Sequence, residues 1–552
     1  MIGYVCKYTP KEIFEGFDMH CTELNSSVND FETAHTVGHN NLCSYSKAIM
    51  ENVKLLKIKE IVFMNCCDSL RRTKDILDKD KKVEFCYIID LPKKINEYSI
   101  NLFKDELLKF IKAYEDFSKK DFNIEKFKNQ FKEVKAKDED DSCVTILGNR
   151  LSKEDENYIK KISSLNVRNC TCSQTENFYL KIKNISKLDE IIYLYSKEIL
   201  NKNPCMRMED IEKRKNLLKE PNIKGIIYNT VKFCDYYNFE YVDIKEKVNV
   251  PIVKIETDYT KSCHGQISTR IEGLMESMHI KKEEVSEKKI KSDIYVCGID
   301  SGSTSTNAVI LNEKKEILGE TILKTGAKSL NSINMALEDV LKNANLKKSQ
   351  LSFIVATGYG RISVPFADEK VTEITCHGKG ANFLNKNIRT VIDIGGQDSK
   401  AIRINSNGDV EEFVMNDKCA AGTGRFLELM ARTLDLDLNY MSEVGVKWNK
   451  ELTISSMCSV FAESEVIALI AQNENIEDIV HSINKSVACK VLSLVKRIGL
   501  NDLFMITGGV SKNYGVVLAI EEKLNSKLIV PKEAQICGAI GAALIGLERV
   551  LN

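Results

Sequence analysis

The sequence lacks an excess of charge of either sign, because 79 Lys and Arg residues balance 79 Asp and Glu residues. A chain without a basic field has little to attract nucleic acid or an anionic membrane surface. It also lacks a run of about eighteen apolar residues that could span a bilayer, and Met1–Tyr4 has neither region of a signal peptide. These absences argue against nucleic-acid and membrane partners and predict a cytoplasmic protein.

No CxxC spacing marks a ligand set, and no short-period repeat is present. Cysteine itself is abundant, with 18 residues spread along the whole chain. In a reducing compartment structural disulfides are rare, which leaves buried thiols, metal ligands or redox chemistry. The context of each cysteine must therefore decide among these roles.

A charged stretch, residues 279–293, separates two halves that both have the pattern of globular domains. Before it, short apolar strand-like runs such as 60–64 and 225–228 alternate with Lys- and Glu-rich helical segments. This alternation predicts an α/β domain of two Rossmann-like lobes over residues 1–278. Residues 294–552 are predicted to form a second α/β domain.

A strand over residues 294–299 is followed by Asp300, a turn and a second strand over residues 307–311. Gly302 permits backbone geometry that presents N–H groups to a phosphate, and Asp300 can hold a metal ion through water. The hydroxyls that can donate to the phosphate belong to Ser303, Thr304, Ser305 and Thr306. The segment therefore predicts a phosphate loop between two strands.

Two more glycine turns, each after an apolar strand, repeat this pattern. The second loop carries Asp393, and the third has paired glycines where a flat adenosine can lie against the backbone. The residues of these loops that are predicted to bind ATP are Gly395, Gly396, Gln397, Gly508, Gly509, Lys512 and Asn513. Three such loops in this order predict a nucleotide site.

The order and spacing of the loops resemble the superfamily of acetate kinase, sugar kinases, Hsp70 and actin. The resemblance implies that Asp300 and Asp393 position hydrated Mg²⁺ and that Gln397 lies near the attacking water. It also implies that Gly508 and Gly509 line the adenosine pocket. The expected fold of this half is therefore an actin-like ATPase.

Two cysteines between the second and third loops precede helical segments: Cys419 before residues 427–434, and Cys458 before residues 460–466. Each is predicted to lie at a helix N-terminus, where the helix dipole favours an anionic cluster by about 0.3–1 kcal/mol. Two thiolates cannot complete a 4Fe-4S site, which needs four. A homodimer that shares one cluster on its axis is therefore expected.

The motifs DSGSTST, ATGYGR, DIGGQD, KCAAGTGRF, CSVFAESEV and TGGVSKN closely resemble one family over nearly all of residues 294–552. It comprises the ATP-dependent activators (archerases) of 2-hydroxyacyl-CoA dehydratases and the ATPase subunits of benzoyl-CoA reductases. The resemblance implies that Cys419 and Cys458 bind the 4Fe-4S cluster between subunits. ATP binding is expected to change the angle of the cluster helices, and ferredoxin or flavodoxin is the expected electron donor.

The N-terminal half resembles the D-component of 2-hydroxyacyl-CoA dehydratases over most of residues 1–278, through HNNLCSYSK, NCCDSLRR and GIIYNTVKFCDYY. The cysteines that match that family's ligands to a 4Fe-4S cluster are Cys43, Cys67 and Cys234. Cys172 and Cys205 resemble the double-cubane branch, in which more cysteines hold two bridged cubanes. The sixth ligand is left open among Cys66, Cys170 and Cys263.

Together these features predict a low-potential electron-transfer enzyme in which the ATPase reduces the N-terminal iron–sulfur domain. The acceptor reaction is either activation of a 2-hydroxyacyl-CoA dehydratase or benzoyl-CoA reductase type of reaction, or reduction of a small molecule at a double cubane. A separate dehydratase subunit is a candidate partner. The alternatives from other classes are an actin-like metabolite kinase with structural cysteines and a regulatory nucleotide-binding protein without clusters.

Overall fold

The computed structural model describes residues 1–39, 41–80, 83–131, 142–163, 165–174, 179–182, 184–209, 216, 218–261, 264–278, 293–326, 328–417, 419–454, 458–501 and 503–551. The chain divides into two compact units, Met1–Met278 and His279–Asn552. The charged stretch at 279–293 lies outside the described residues except for Asp293.

The described residues of the N-terminal unit form two four-stranded sheets. The first has the order β2-β1-β3-β4, with β1 (Ile2–Tyr4), β2 (Cys21–Glu23), β3 (Glu60–Met64) and β4 (Phe85–Ile89). The second has the order β6-β5-β7-β8, with β5 (Cys143–Gly148), β6 (Asn166–Asn169), β7 (Ile223–Val231) and β8 (Ile252–Thr257). All these strand pairs are parallel, so helices must cross between them.

The described helices of this unit are α1 (Glu12–Glu15), α2 (Glu32–Val37), α3 (Ser44–Leu55), α4 (Asp68–Asp78), α5 (Glu97–Ser118), α6 (Ile124–Lys128), α7 (Lys153–Ile162), α8 (Leu188–Leu200), α9 (Asp235–Lys245) and α10 (His264–Ser277). Apolar runs in the central strands are fully buried, as in β3 at Val62, Phe63 and Met64. Parallel strands covered on both faces have this continuous apolar pattern. The prediction of two Rossmann-like lobes is confirmed.

In the part of the C-terminal unit that the structure describes, two five-stranded sheets have identical topology. The first has the order β11-β10-β9-β12-β13, with β9 (Tyr295–Ser301), β10 (Ser305–Asn312), β11 (Ile317–Lys324), β12 (Phe353–Thr357) and β13 (Glu369–Lys370). The second has the order β16-β15-β14-β17-β18, with β14 (Thr390–Ile394), β15 (Ser399–Ile404), β16 (Val410–Asn416), β17 (Phe504–Thr507) and β18 (Leu528–Ile529). Each sheet joins three antiparallel strands to two parallel ones. This duplicated architecture confirms the predicted actin-like fold.

The described α-helices of this unit are α11 (Ser329–Asn343), α12 (Glu373–Leu384), α13 (Gly424–Thr433), α14 (Leu438–Val444), α15 (Ser459–Ala471), α16 (Ile476–Ile498), α17 (Tyr514–Leu524) and α18 (Cys537–Leu551). Short 3₁₀ helices cover Lys348–Gln350, Tyr359–Ser363, Gly509–Lys512 and Ala534–Ile536.

One segment among the described residues, Ala534–Leu551, is long and apolar enough to cross a membrane, and it is 72% buried inside the protein. It contains α18, which packs against α12 so closely that a Cβ at Gly541 would overlap the carbonyl of Cys376. Core packing therefore accounts for its apolar composition.

Candidate functional site

Two buried aspartates occupy equivalent positions in the two sheets of the C-terminal unit. Asp300 lies in β9 beside β12, and Asp393 lies in β14 beside β17. Each neighbouring strand leads into a glycine with positive φ, Gly358 at 82° and Gly508 at 84°. A Cβ would lie 2.5 Å from Asp300 Oδ1 at the first and 2.7 Å from Asp393 Oδ1 at the second. Glycine is therefore required for the backbone to approach each carboxylate.

Asp393 lies in a dense polar cluster. Lys400 Nζ is 3.1 Å from Asp393 Oδ2 and 2.9 Å from Asp398 Oδ2, and Thr507 Oγ1 donates to Asp393 Oδ1 at 3.1 Å. Burial acts to raise the pKa of Asp393, but His377, Lys400 and the hydrogen bonds outweigh it and hold that pKa below its usual value. Asp393 is therefore ionised at neutral pH.

Asp300 differs, because burial raises its pKa to about 6 and the nearby His377 offsets this only in part. Both carboxyls are ionised at neutral pH, and carboxylate oxygens are suitable partners for a hydrated Mg²⁺ ion. The two acids therefore fit the metal role that the sequence predicts, with Asp300 the one sensitive to pH.

The first phosphate loop is closed by a hydrogen bond from the Gly302 N–H to the Ser305 carbonyl, at 2.9 Å. The Thr306 hydroxyl is buried and pairs with Thr325 Oγ1 at 3.0 Å, so it is engaged within the sheet. The half-buried hydroxyl residues of the turn itself are Ser303, Thr304 and Ser305.

The first and second loops meet, since a Cβ at Gly396 would overlap the side chain of Thr304. Within the second loop the Gly395 N–H donates to the Asp398 carbonyl at 3.0 Å, and Gln397 is exposed at the tip. The predicted residues of these two loops therefore form one surface.

In the third loop, Gly509 is exposed, and a Cβ there would meet no atom within 4 Å. Lys512 is also exposed, whereas Asn513 caps α17 by accepting a hydrogen bond from the Val516 N–H at 3.0 Å. The backbone at Gly509 thus faces open space, as a flat base would require, and the Asn513 side chain serves the helix.

The loop before α13 is bonded directly to the second phosphate loop. The Gly424 N–H donates to the Gly395 carbonyl at 2.9 Å, and the Arg425 N–H donates to the Gly396 carbonyl at 2.8 Å. Cys419 lies in the same loop. The segment that carries this cysteine is therefore hydrogen-bonded to the second phosphate loop.

The prediction that Cys419 stands at a helix N-terminus is wrong, because α13 begins at Gly424 with Thr423 as its N-cap. The glycine-containing segment between Cys419 and Thr423 forms a loop instead, with Asn416 Nδ2 donating to the Cys419 carbonyl at 2.9 Å. Cys458 does occupy the N-cap position of α15, and it is exposed.

Helix α15 buries little of its apolar surface. Its buried residues are Ala462 and Val466. Its large exposed apolar residues, with their exposed fractions, are Val460 (63%), Phe461 (66%), Ile467 (53%) and Ile470 (42%). The helix that begins at Cys458 therefore presents an apolar surface to solvent in the single chain.

The N-terminal unit gathers most of its cysteines around one cavity of about 250 Å³. The cysteines that line it are Cys6, Cys43, Cys66, Cys67, Cys172, Cys205 and Cys234. Cysteines of this set follow four strands along the chain: β1 and β3 of one sheet, and β6 and β7 of the other. The carboxyl ends of parallel strands are where such folds bind ligands.

The thiols form two groups, whose members affect one another's pKa values. The first thiol group is Cys43, Cys67 and Cys234. The second thiol group is Cys6, Cys172 and Cys205. Cys66 hydrogen-bonds to a member of each group, Cys6 and Cys67, and so lies between them.

Both groups contain a stabilised thiolate. A hydrogen bond from Cys66 lowers the pKa of Cys67 to about 6, and the same thiol lowers the pKa of Cys6. In the second group a hydrogen bond from Cys205 lowers the pKa of Cys172. Thiolate is the form of cysteine that binds metals, so the low pKa values of these thiols suit metal binding.

Among the described residues, no set of three or more His, Cys, Asp or Glu side chains is arranged around a single metal ion. The seven thiols instead surround a space much larger than one ion. Iron–sulfur clusters are held by several cysteine thiolates at once, and this donor set fits such a group.

The structure brings together all five N-terminal cysteines predicted as ligands, together with Cys66, one of the three candidates for the sixth ligand, and Cys6, which was not predicted. Cys170 packs in the apolar core instead, and Cys263 lies outside the described residues. Sequence reasoning missed Cys6, although it follows β1 as Cys67 follows β3. It also missed Lys400 and His377, which have no glycine motif of their own.

The fold and the acid pair define an actin-like ATPase, and comparison with known proteins identifies its family. Residues 297–546 match the BadF/BadG/BcrA/BcrD ATPase family, and residues 6–164 and 144–278 match the 2-hydroxyglutaryl-CoA dehydratase D-component. The chain belongs to the family of 2-hydroxyacyl-CoA dehydratase activating ATPases and carries a D-component domain on the same polypeptide.

Two relatives each align over 46% of the chain. The chain is 44% identical over 257 residues to the (R)-2-hydroxyglutaryl-CoA dehydratase activating ATPase of Acidaminococcus fermentans, covering 46% of this chain and 98% of that protein. It is 42% identical over 255 residues to the 2-hydroxyisocaproyl-CoA dehydratase activator of Clostridioides difficile, covering 46% and 96%. The crystal structure of component A of the A. fermentans dehydratase shares 43% identity, covers 47% of this chain and 100% of that chain, and has a TM-score of 0.46.

Proposed function

We propose that the C-terminal ATPase drives low-potential electrons, one at a time, into an iron–sulfur centre held by the N-terminal cysteines. An iron–sulfur cluster supplies one-electron transfer when bound, and the protein supplies thiolates, shielding and the coupling to ATP. The observation that carries the proposal is the pair of hydrogen bonds from Gly424 and Arg425 to the carbonyls of Gly395 and Gly396.

These bonds connect nucleotide chemistry to a cluster ligand. We assign Asp300 and Asp393 to hydrated Mg²⁺, and Gln397 to the attacking water. Lys400 keeps Asp393 ionised in the absence of the metal. A change at the γ-phosphate moves the second loop, and the two backbone hydrogen bonds pass that movement to the loop of Cys419.

The ATPase unit contributes two thiols, Cys419 and Cys458, and a 4Fe-4S cluster requires four. A second copy of the chain supplies the missing pair. The exposed apolar surface of α15 beside Cys458 supports this homodimer, because burying Val460 and Phe461 against a symmetric copy removes them from water. Each apolar side chain so buried contributes about 1.5–3 kcal/mol.

Within the electron-transfer class, the N-terminal cavity favours the double cubane over a single cluster. A single cubane with one open iron site uses three cysteines, whereas two groups of three thiols face this cavity. This arrangement supports reduction of a small molecule more than activation of a 2-hydroxyacyl-CoA. The latter, with a separate dehydratase subunit, is the second candidate, because the family's named members activate dehydratases.

The proposed setting is an oxygen-sensitive cytoplasmic enzyme that receives electrons from ferredoxin or flavodoxin. Fusion of the ATPase to its acceptor replaces a bimolecular encounter by a high effective concentration. The family match supports ATP hydrolysis as the driving reaction of this proposal.

Anaerobic iron and sulfide analysis of the full chain tests the proposal. A double cubane plus a half share of the intersubunit cluster gives about ten irons per chain, and a single N-terminal cubane gives about six. The Cys419→Ser/Cys458→Ser protein is expected to lose about two irons, while Cys489→Ser, at an exposed helical cysteine of the same unit, keeps them all. Iron-free protein after reconstitution, or phosphoryl transfer to a metabolite by the double variant, would replace electron transfer by a binding or kinase function.

A further inference from the structure

The two sheets of the ATPase unit place a threonine beside each acid, but the two threonines are bonded differently. Asp300 pairs with Thr357 across β9 and β12. Asp393 pairs with Thr507 across β14 and β17, and Thr507 Oγ1 donates to Asp393 Oδ1 at 3.1 Å. The buried Thr357 hydroxyl has no hydrogen-bond partner among the described residues. Equivalent threonines therefore support one acid and not the other.

The helices that follow the two sheets, α12 and α18, pack against each other reciprocally. A Cβ at Gly541 of α18 would overlap the carbonyl of Cys376 of α12. In the same way, a Cβ at Gly380 of α12 would overlap the carbonyl of Cys537 of α18. Cys376 and Cys537 therefore occupy equivalent positions in the two halves of the unit.

The residues that follow these cysteines, His377 and Gly538, differ in side chain. His377 is buried, and its Nδ1 lies 3.1 Å from Thr507 Oγ1. A Cβ at Gly538 would lie 2.5 Å from Asp300 Oδ2 and 3.0 Å from His377 Nε2. Glycine at position 538 therefore leaves room for the imidazole, and only one of the two equivalent positions carries a ring.

The hydrogen bonds around Thr507 determine which nitrogen of His377 carries a proton. The Thr507 hydroxyl has a single hydrogen, which it donates to the ionised Asp393. It must therefore accept a hydrogen bond from His377 Nδ1. Lys400 Nζ lies 3.1 Å from the other oxygen of Asp393. A directed chain of hydrogen bonds thus runs from α12 through β17 to Oδ1 of this acid.

We propose that His377 is a positioning residue of the ATPase, whose Nδ1–H holds the Thr507 hydroxyl on Asp393 and so orients this carboxylate for hydrated Mg²⁺ before the nucleotide binds. A group that is already oriented loses less freedom when its ligand arrives, which favours binding. Thr357 gives Asp300 no such hydrogen bond. This inference rests on the part of the proposed function that assigns Asp393 to hydrated Mg²⁺.

The test is calorimetric titration of the full-length protein with a non-hydrolysable ATP analogue, with and without Mg²⁺. His377→Gln is expected to weaken binding in Mg²⁺ by about tenfold, because a hydrogen bond of a charged network is lost. Binding without Mg²⁺ is expected to stay unchanged, whereas general damage to the fold would weaken both. His377→Asn keeps an N–H near the position of Nδ1 and is expected to stay within about twofold of wild type.

The two threonines provide a matched pair of variants. Thr507→Val removes the hydroxyl and keeps the shape of the side chain, so it is expected to weaken binding in Mg²⁺ by about tenfold. Combined with His377→Gln it should add little, because both changes break the same chain of hydrogen bonds. Thr357→Val removes a hydroxyl that has no partner among the described residues and is expected to leave binding unchanged.

Equal affinities of His377→Asn and His377→Gln, or additive effects of His377→Gln and Thr507→Val, overturn the inference and leave the proposed function standing. If the His377 variants do not fold, nitrogen NMR of histidine-labelled wild-type and Thr507→Val proteins decides. A neutral histidine that is protonated at Nδ1 and whose signal changes in Thr507→Val supports the inference, and its absence overturns it. Wild-type affinity that does not depend on Mg²⁺ overturns the assignment of Asp393, and this inference with it.

Discussion

The two units position the cysteines that are predicted to bind clusters in different ways. The N-terminal unit places seven cysteines around one cavity, four of them buried, and five of the seven follow parallel strands of its two sheets. The two cysteines predicted as ligands in the C-terminal unit are half-buried Cys419, in the loop before α13, and exposed Cys458, at the N-cap of α15. Under the proposed function, the N-terminal unit can hold its metal alone, whereas the C-terminal unit needs a second copy of the chain.

This difference fits two kinds of work. A centre that performs chemistry benefits from fixed ligands in a rigid, buried site. A centre that must respond to ATP benefits from ligands on loops that can move, and the loop of Cys419 is bonded to the second phosphate loop. Four predictions test this division, from the largest expected effect to the smallest.

Disrupting the surface of α15 should abolish the C-terminal centre and spare the N-terminal one. Phe461→Glu places a charge on the exposed apolar face beside Cys458. We expect the dimer to dissociate to monomers and about two irons per chain to be lost, with the rest retained. Analytical ultracentrifugation and iron analysis measure both.

Tyr440→Glu is the matched control, because Tyr440 is an exposed aromatic residue of the same unit on α14. It should remain dimeric and fully loaded. A dimeric, fully loaded Phe461→Glu protein would show that the C-terminal centre is not shared through this helix.

Removing one thiol from either N-terminal group should damage only that group. Cys43→Ser and Cys172→Ser are each expected to lose up to about four irons per chain, with the C-terminal signal intact. Cys86→Ser, at a partly buried cysteine of β4 outside the cavity, should lose none. If either cavity variant loses all N-terminal iron together, the two groups form one indivisible site.

Part of this arrangement could be predicted from sequence patterns, and part could not. Cys67 and Cys234 follow apolar strands, so the rule that ligands collect at strand ends found them. Cys6 obeys the same rule, but β1 has only three residues and gives a weak strand signal. Lys400 lies inside β15, and its pairing with Asp393 depends on the register of an antiparallel hairpin. Cys419 does not reach the N-terminus of α13 because a loop lies between them, in which Gly422 adopts a positive φ of 87°.

Substitution of each of the two glycines of the third loop tests backbone strain and nucleotide contact separately. Gly508 has φ 84° and ψ 175°, a conformation that only glycine adopts readily, and a Cβ there would press on Asp393. Gly508→Ala is expected to destabilise the C-terminal unit by about 1–3 kcal/mol. Gly509→Ala meets no atom within 4 Å and should leave stability unchanged.

Thermal unfolding without nucleotide measures this difference, and ATP binding to Gly509→Ala then reports separately on the adenosine contact. Equal melting temperatures for the two variants would contradict the strained geometry at Gly508. Unaltered ATP affinity in Gly509→Ala would remove Gly509 from the adenosine pocket.

The smallest effect is a pH dependence that only the ATPase unit should show. Burial raises the pKa of Asp300 to about 6, above its ordinary value of 3.8, so the metal-free fold is favoured by protonation and loses stability as pH rises through about 6.

The affinity for Mg²⁺ should have the opposite pH dependence, because binding requires the ionised carboxylate. It should weaken as pH falls below about 6, by up to tenfold per pH unit. Calorimetric titration of Mg²⁺–ATP at about pH 5, 6 and 7 measures this, with Asp300→Asn expected to bind weakly and without that slope. A wild-type affinity that stays constant over this range would mean that Asp300 does not hold the metal, and the proton-insensitive Asp393 would then be its principal carboxylate.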